Sequence, residues 1–258
     1  MTHPAAVEPP GTVADAAARQ LPLPLHWHDE PTLDNFEVGT NAMALRALRD
    51  LLAGAEGAER MLCLWGEAGS GKTHLLRAAC AAAQAAAQPT WLLGPRSAPS
   101  HWPALEQVAQ AGRHALLAVD DVDACSAWQQ QWLFGLYNSA RQAGAAFVAT
   151  ASQAPAALAL REDVRTRLAW GLGLRLHPLD DAAKQRVLAR MAAARGLTLR
   201  EDLSRYILDH HARDMGSLVD LLHRLEAHAV RQQRAPSIAL LKSMQAEVPT
   251  APGPPAQP

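Results

Sequence analysis

An α/β fold, with a phosphate-loop core built on a parallel sheet and followed by a small all-helical lid subdomain, is the architecture this sequence predicts. Three observations carry it. Residues 66–73 read Gly-Glu-Ala-Gly-Ser-Gly-Lys-Thr, the G-x-x-x-x-G-K-[ST] pattern, directly after the apolar run Met61–Trp65 and before an alanine-rich stretch. That pattern makes physical sense only between a strand and a helix, where glycines turn backbone N–H groups inward and the helix adds its positive end. Further strand-like runs at Thr90–Leu93, Ala115–Val119, Ala145–Ala149 and Leu172–Leu176 alternate with helical stretches, which implies parallel strands with helices on both faces. After Pro178 the strand-like runs stop.

In chain order, residues 1–19 are rich in Pro and Ala and predict a disordered tail. Residues 20–25 form a short extended segment of their own, Gln-Leu-Pro-Leu-Pro-Leu. Residues 26–177 make the α/β core, with helices expected at Asn41–Ala53, from Lys72 to about Ala87, at His101–Ala111 and at Ala127–Ala143 between the strands. Residues 178–246 read as four helices, Asp180–Arg195, Arg200–His211, Met215–Arg231 and Ser237–Ala246, forming the lid; 247–258 is a second unstructured tail.

Composition bounds the rest. The 258 residues suffice for one two-part domain with a real core. A formal charge of −1 makes no global electrostatic case for nucleic acid or a membrane, so strong intrinsic DNA binding is not expected. Arginine far outnumbers lysine and alanine is abundant, a pattern of GC-rich coding rather than of function. Cys63, Cys80 and Cys125 are too few and too scattered for a disulfide framework or a zinc site, and the first two read as small core residues. No apolar stretch approaches membrane-spanning length, and the N-terminus lacks a basic region followed by an apolar core. The expected location is the reduced cytoplasm.

The loop Gly66, Glu67, Ala68, Gly69, Ser70, Gly71, Lys72 and Thr73 is the expected binding site for ADP or ATP. Lys72 would reach the terminal phosphates and the Thr73 hydroxyl would hold Mg²⁺. The run Ala115–Val119 ends in Asp120 and Asp121, and a parallel strand presents its C-terminal end to the ligand crevice. Asp120 is the candidate second Mg²⁺ group and Asp121 the candidate orienter of an attacking water, with a solvated turn as the alternative. An aspartate is shorter than the commoner glutamate, which implies slow hydrolysis by this chain at most. Thr150 and Ser152, at the end of the next strand, either sense the nucleotide or merely end a strand. Trp170 reads as a core anchor. The pairs His26/His28 and His210/His211 lack partners at ligand spacing.

Residues 165–172, Arg-Thr-Arg-Leu-Ala-Trp-Gly-Leu, resemble the [RK]-S-R-[FL]-x-W-G-L box of the DnaA-related family of AAA+ proteins. Residues Leu33–Asn41 resemble that family's opening box, which packs near the adenine, and the similarity runs from about Gln20 to Ala246. The resemblance implies an AAA+ core with a helical lid. It gives Arg167 the role of a finger reaching into a neighbouring subunit's ATP site; from the residues alone, ordinary charge pairing competes for both arginines. One departure stands out. The family's lid arginine is replaced by Gly216 in Arg213-Asp214-Met215-Gly216-Ser217-Leu218, with Arg213 as a substitute one turn away, so the preference between ATP and ADP is left open.

Gln20, Leu21, Leu23, Pro24 and Leu25 belong to a segment that resembles the Q-L-x-L-P-L peptide bound by the β sliding clamp of DNA polymerase III. Leucines would fill an apolar pocket, glutamine would bond at its edge, and prolines would keep the segment extended; a proline-spaced packing strand is the alternative. Nothing after Ala246 matches the initiator's DNA-binding helix-turn-helix. Together these features resemble the family's regulatory inactivators. The resemblance implies a clamp-associated protein that docks on ATP-bound DnaA and stimulates hydrolysis of that ATP, preventing over-initiation, with weak ATPase of its own at most and self-association left open. Two rivals remain: a DnaA-like or helicase-loader ATPase acting directly on DNA or helicase, which needs a DNA-facing surface, and a free-standing NTPase.

Overall fold

The computed structural model describes residues 30–246. The expected tails, and the segment Gln20–Leu25, lie outside the described residues. The order of elements is α1 (Ala42–Ala53), β1 (Met61–Trp65), α2 (Lys72–Ala85), β2 (Thr90–Leu93), α3 (Leu105–Ala111), β3 (Leu116–Val119), α4 (Ala127–Ala143), β4 (Ala146–Ala151), α5 (Glu162–Trp170), β5 (Leu172–Arg175), α6 (Asp181–Ala194), α7 (Glu201–His210), α8 (Met215–Gln232) and α9 (Ile238–Ala246).

The five strands form one parallel sheet in the order β2-β3-β4-β1-β5. Trp65 pairs with both Ala151 and Arg175, so β1, β4 and β5 finish level and their C-terminal ends form a common edge. Side chains alternate across a strand, and the apolar runs use both faces. Met61 and Cys63 join Leu117, Val119, Phe147 and the α4–α5 side chains Leu133, Leu136, Val164 and Leu168 in one core layer. Leu62 and Leu64 join Leu116, Val148 and the α1–α2 side chains Leu48, Leu51, Leu75 and Leu76 in the other. Burial pushes the thiols of Cys63 and Cys80 up to about 12 and that of Cys125 to about 11, which keeps all three as inert protonated core groups.

The structure departs from the sequence expectations in four places. The helix expected at His101–Ala111 starts only at Leu105, after a 3₁₀ turn at Pro99–His101, because Pro103 disfavours helical geometry at Trp102. α2 ends at Ala85, and Ala87 takes the left-handed conformation at φ 56. β4 extends to Ala151, which places Thr150 inside a fully buried strand. The arginine-rich stretch before β5, to which the sequence assigned no element, forms the helix α5, with only Val164 and Leu168 buried among nine residues.

The lid, α6–α9, packs around its own core of Leu188, Leu203, Ile207, Leu218, Leu222 and Leu241. Asp180 caps α6 by accepting from Ala183 N at 2.7 Å, and Asp214 caps α8 by accepting from Ser217 N at 2.9 Å. Two features tie the lid to the core. The buried Asn41 amide brackets the backbone at the lid's entrance, donating to His177 O at 2.9 Å and accepting from His177 N at 2.8 Å. Glu37 accepts from Arg186 at 2.7 Å and Arg190 at 3.3 Å, both on α6, and these bonds hold its carboxyl below the usual range. Among the described residues no helix is long and apolar enough to cross a membrane.

Candidate functional site

The phosphate loop leaves β1 at the level edge of the sheet. Gly66 sits at φ 156, and a Cβ there would overlap Leu176 O, so only glycine lets the chain turn this close to the exit of β5. Gly71 has φ 93, and a Cβ would lie 2.8 Å from the Phe36 ring, which seats the Leu33–Asn41 segment against the base of the loop. Lys72 Nζ donates to Gly66 O at 2.8 Å and Glu67 O at 2.9 Å, so its ammonium is held across the loop by the loop's own carbonyls. The Ser70 hydroxyl is buried and makes no hydrogen bond. A left-handed glycine loop, a cation across it, an orphaned hydroxyl and the start of a 14-residue helix fit a polyphosphate.

The carboxylates stand at the end of β3 beside this loop. Asp120 Oδ1 accepts from Thr73 at 3.2 Å and from Thr150 at 2.6 Å. Thr150, wholly buried, in turn accepts from Asp121 N at 2.8 Å. One hydroxyl thus fixes the aspartate of one residue and the backbone of the next. Asp121 takes the left-handed conformation at φ 47, uncommon for a non-glycine residue though best tolerated by Asn and Asp. Burial, reinforced by the Asp120 charge, raises its carboxyl above the ordinary value, while Lys72 and Arg96 pull the other way. Ser152 belongs elsewhere: its hydroxyl donates to Asp123 at 2.5 Å. Of the two strand-end hydroxyls, only Thr150 meets the acidic pair. Among the described residues no group of three or more His, Cys, Asp and Glu is arranged to hold a metal; Thr73 and Asp120 can offer a divalent ion two oxygens, and a bound phosphate would have to supply more.

The lid closes over the loop by its backbone. A Cβ on Gly69 would lie 3.1 Å from both Asp214 Cβ and Met215 N, so the capped start of α8 rests on the middle of the phosphate loop. Gly216 follows in the first turn of α8. Arg213, the substitute the sequence offered for the lid arginine, donates to Leu208 O at 3.3 Å and lies 3.7 Å from Asp181, both within the lid. Arg96 is the part of this site that sequence reasoning missed, and for Phe36 and Asp214 it gave the segment but not the contact. The Asp-x-x-Ser pattern at 214–217 announced a helix start, but nothing local said that it would land on Gly69.

The arginine box lies apart from the loop. α5 packs on the α4 face of the sheet, opposite α2, and descends to the starting edge of the strands, where a Cβ on Gly171 would overlap Met61 O. Five residues of β1 at ~3.3 Å each separate that edge from the phosphate loop. Among the described residues neither Arg165 nor Arg167 forms an ion pair. Trp170 is not a core anchor; it is 54% exposed, because Gly171 turns the chain into β5 before the indole can enter the core.

A phosphate loop on a five-stranded parallel sheet, with a helical lid resting on it, defines an AAA+ module. Three solved structures share the fold. Domain III of the replication initiation protein DnaA from Thermotoga maritima matches with a TM-score of 0.71 and 18% identity, over 85% of this chain and 97% of that one. AMPPCP-bound DnaA from Aquifex aeolicus matches with a TM-score of 0.62 and 20% identity, over 76% of this chain and 66% of that one. The Thermotoga maritima RuvB Holliday junction branch migration motor matches with a TM-score of 0.61 and 15% identity, over 84% and 71%. In sequence, an uncharacterized protein of Haemophilus influenzae is 31% identical over 233 residues, 88% of this chain and 98% of that one, and residues 181–244 match the lid domain of Hda. The chain belongs to the DnaA-related AAA+ family, as an Hda-like member.

Proposed function

We propose that this protein is a clamp-associated AAA+ regulator that stimulates hydrolysis of ATP bound to the replication initiator DnaA, by placing Arg167 in the initiator's nucleotide site. The observation that supports it most is the position of Arg167. It lies across the sheet from α2 and toward the opposite edge from the phosphate loop, and among the described residues it has no ion-pair partner. A guanidinium there cannot serve its own loop and is available to a neighbour's, where it would stabilise charge developing on the transferred phosphoryl group.

In this reading residues 66–73 hold ADP or ATP, with Thr73 and Asp120 on its Mg²⁺ and Thr150 fixing Asp120. A nucleotide bound there would bring phosphate charge that Lys72 and the loop N–H groups would hold. Asp121, with its carboxyl raised and its backbone tied to Thr150, supports slow hydrolysis by this chain at most. Gln20–Leu25 is the proposed attachment to the β clamp, and the acceptor of the finger is ATP-bound DnaA. Radiolabelled ATP carried by the initiator, chased with this protein in the presence of DNA-loaded clamp, should be hydrolysed faster than with either component alone. Acceleration that is absent, or equal without clamp, contradicts the proposal.

A further inference from the structure

The guanidinium of Arg167 is not loose. Its carbon sits 4.0 Å from the centroid of the Trp170 ring and 5.4 Å from that of Phe134 on α4. Its Nε is buried with no hydrogen-bond partner, whereas its terminal nitrogens are not among the buried, unpartnered atoms. A buried Nε–H beside aromatic rings, with no acceptor, is an arrangement in which the ring faces provide the compensation. Arg141, from the last turn of α4, approaches the same indole at 5.0 Å. Trp170 is itself pinned: it is the last residue of α5, and the following Gly171 abuts the start of β1 so closely that no side chain fits.

We infer that Trp170 is a positioning residue for Arg167. The indole, one helical turn on, holds the guanidinium plane against α4 and leaves its terminal fork facing outward. An arginine held this way loses less freedom when the fork meets a phosphate than one sweeping through solvent. The exposure of Trp170, 54% for a large aromatic, follows from the role: the ring serves the arginine rather than the core. This inference rests on the reading of Arg167 as the finger.

The test compares Trp170→Leu and Trp170→Phe with the unaltered protein in two measurements. In side-chain NMR spectra, the Arg167 Hε resonance should be shifted upfield by ring current; that shift should collapse in Trp170→Leu and persist in part in Trp170→Phe. In single-turnover hydrolysis of initiator-bound ATP, Trp170→Leu should lower the maximal rate about tenfold with an unchanged half-saturating concentration, and Trp170→Phe should restore most of it. Thermal melting of both variants establishes that the fold is kept; if the leucine variant is unstable, Trp170→Gln, which also lacks a ring, carries the test with the same expected loss. If Arg167→Ala abolishes stimulation while Trp170→Leu retains it, the positioning role is wrong and the finger stands. If Arg167→Ala stimulates fully, the finger reading fails and the positioning role falls with it.

Discussion

Replacing Thr150 by valine isolates the hydroxyl that joins the two aspartates. Valine matches threonine in shape, so no cavity opens, and the loss is confined to two bonds: one to Asp120 at 2.6 Å and one from Asp121 N at 2.8 Å. A neutral backbone bond contributes about 1 kcal/mol and one to a carboxylate about 1.5–3 kcal/mol. Asp120 is only half-buried and keeps the Thr73 hydroxyl, so water replaces part of the loss and a net destabilisation of ~2 kcal/mol is expected. With a urea slope of ~2–3 kcal/mol/M for a chain of this size, the unfolding midpoint should fall by ~0.7–1 M. Thr150→Ser, which keeps the hydroxyl, should fall by much less. Because Asp120 is no longer fixed, Mg²⁺-dependent nucleotide affinity should drop in the same variant. A valine midpoint within ~0.2 M of the parent, with nucleotide affinity intact, would refute the role assigned to Thr150.

Three further outcomes are expected. Lys72→Ala should abolish tight ADP or ATP binding by calorimetry, since it removes the ammonium bridging the loop; unchanged affinity would remove the nucleotide site from the account. Gln20, Leu21 and Leu25 replaced together by alanine should eliminate retention on immobilised clamp while thermal stability stays near the parent's; buried leucines offer about 1.5–3 kcal/mol each before the costs of association, and full retention would rule the segment out. Asp121 has a raised carboxyl pKa in the fold, so the folded state holds the proton more tightly than the unfolded chain and stability is lost as pH rises from the ordinary value of 3.8 through the raised one. Asp121→Asn removes that loss, and its melting temperature relative to the parent should climb as pH rises above the ordinary carboxyl value of 3.8; a flat difference would contradict it.

What the sequence made legible was whatever is written locally. The strand, phosphate loop and α2 form one continuous signal from Met61 onward, and Asp120–Asp121 follow an unbroken apolar run. The lid helices were visible because Leu218, Leu221, Leu222 and Leu225 repeat at helical spacing and Asp180 and Asp214 mark two starts. α5 was not, because two buried side chains in nine give only a weak apolar stripe. Trp170 was misjudged for a related reason: an indole favours burial on composition alone, and its exposure depends on how closely Gly171 meets Met61. The contacts that complete the site, Phe36 on Gly71 and Asp214 on Gly69, join segments far apart in the chain. No periodicity encodes such meetings: the first is made by tertiary packing within the core, the second by the packing of lid on core.

The central claim is that the chemistry takes place in a neighbour's site and is completed by Arg167. Its most direct test is a single-turnover measurement of initiator-bound ATP, with DNA-loaded clamp, comparing the unaltered protein with Arg167→Ala, Arg167→Lys and Arg165→Ala. Fingers of this kind contribute ~10³–10⁵ in rate in other nucleotide hydrolases, and a regulator acting on a slow site can contribute less. The account predicts that Arg167→Ala keeps its fold, its nucleotide and its clamp binding but no longer accelerates hydrolysis. Lysine, which lacks the planar fork, should rescue little, and Arg165→Ala should lose less. Stimulation by Arg167→Ala equal to that of the unaltered protein would contradict the claim and move the mechanism to this chain's own nucleotide site or to simple occlusion of the initiator.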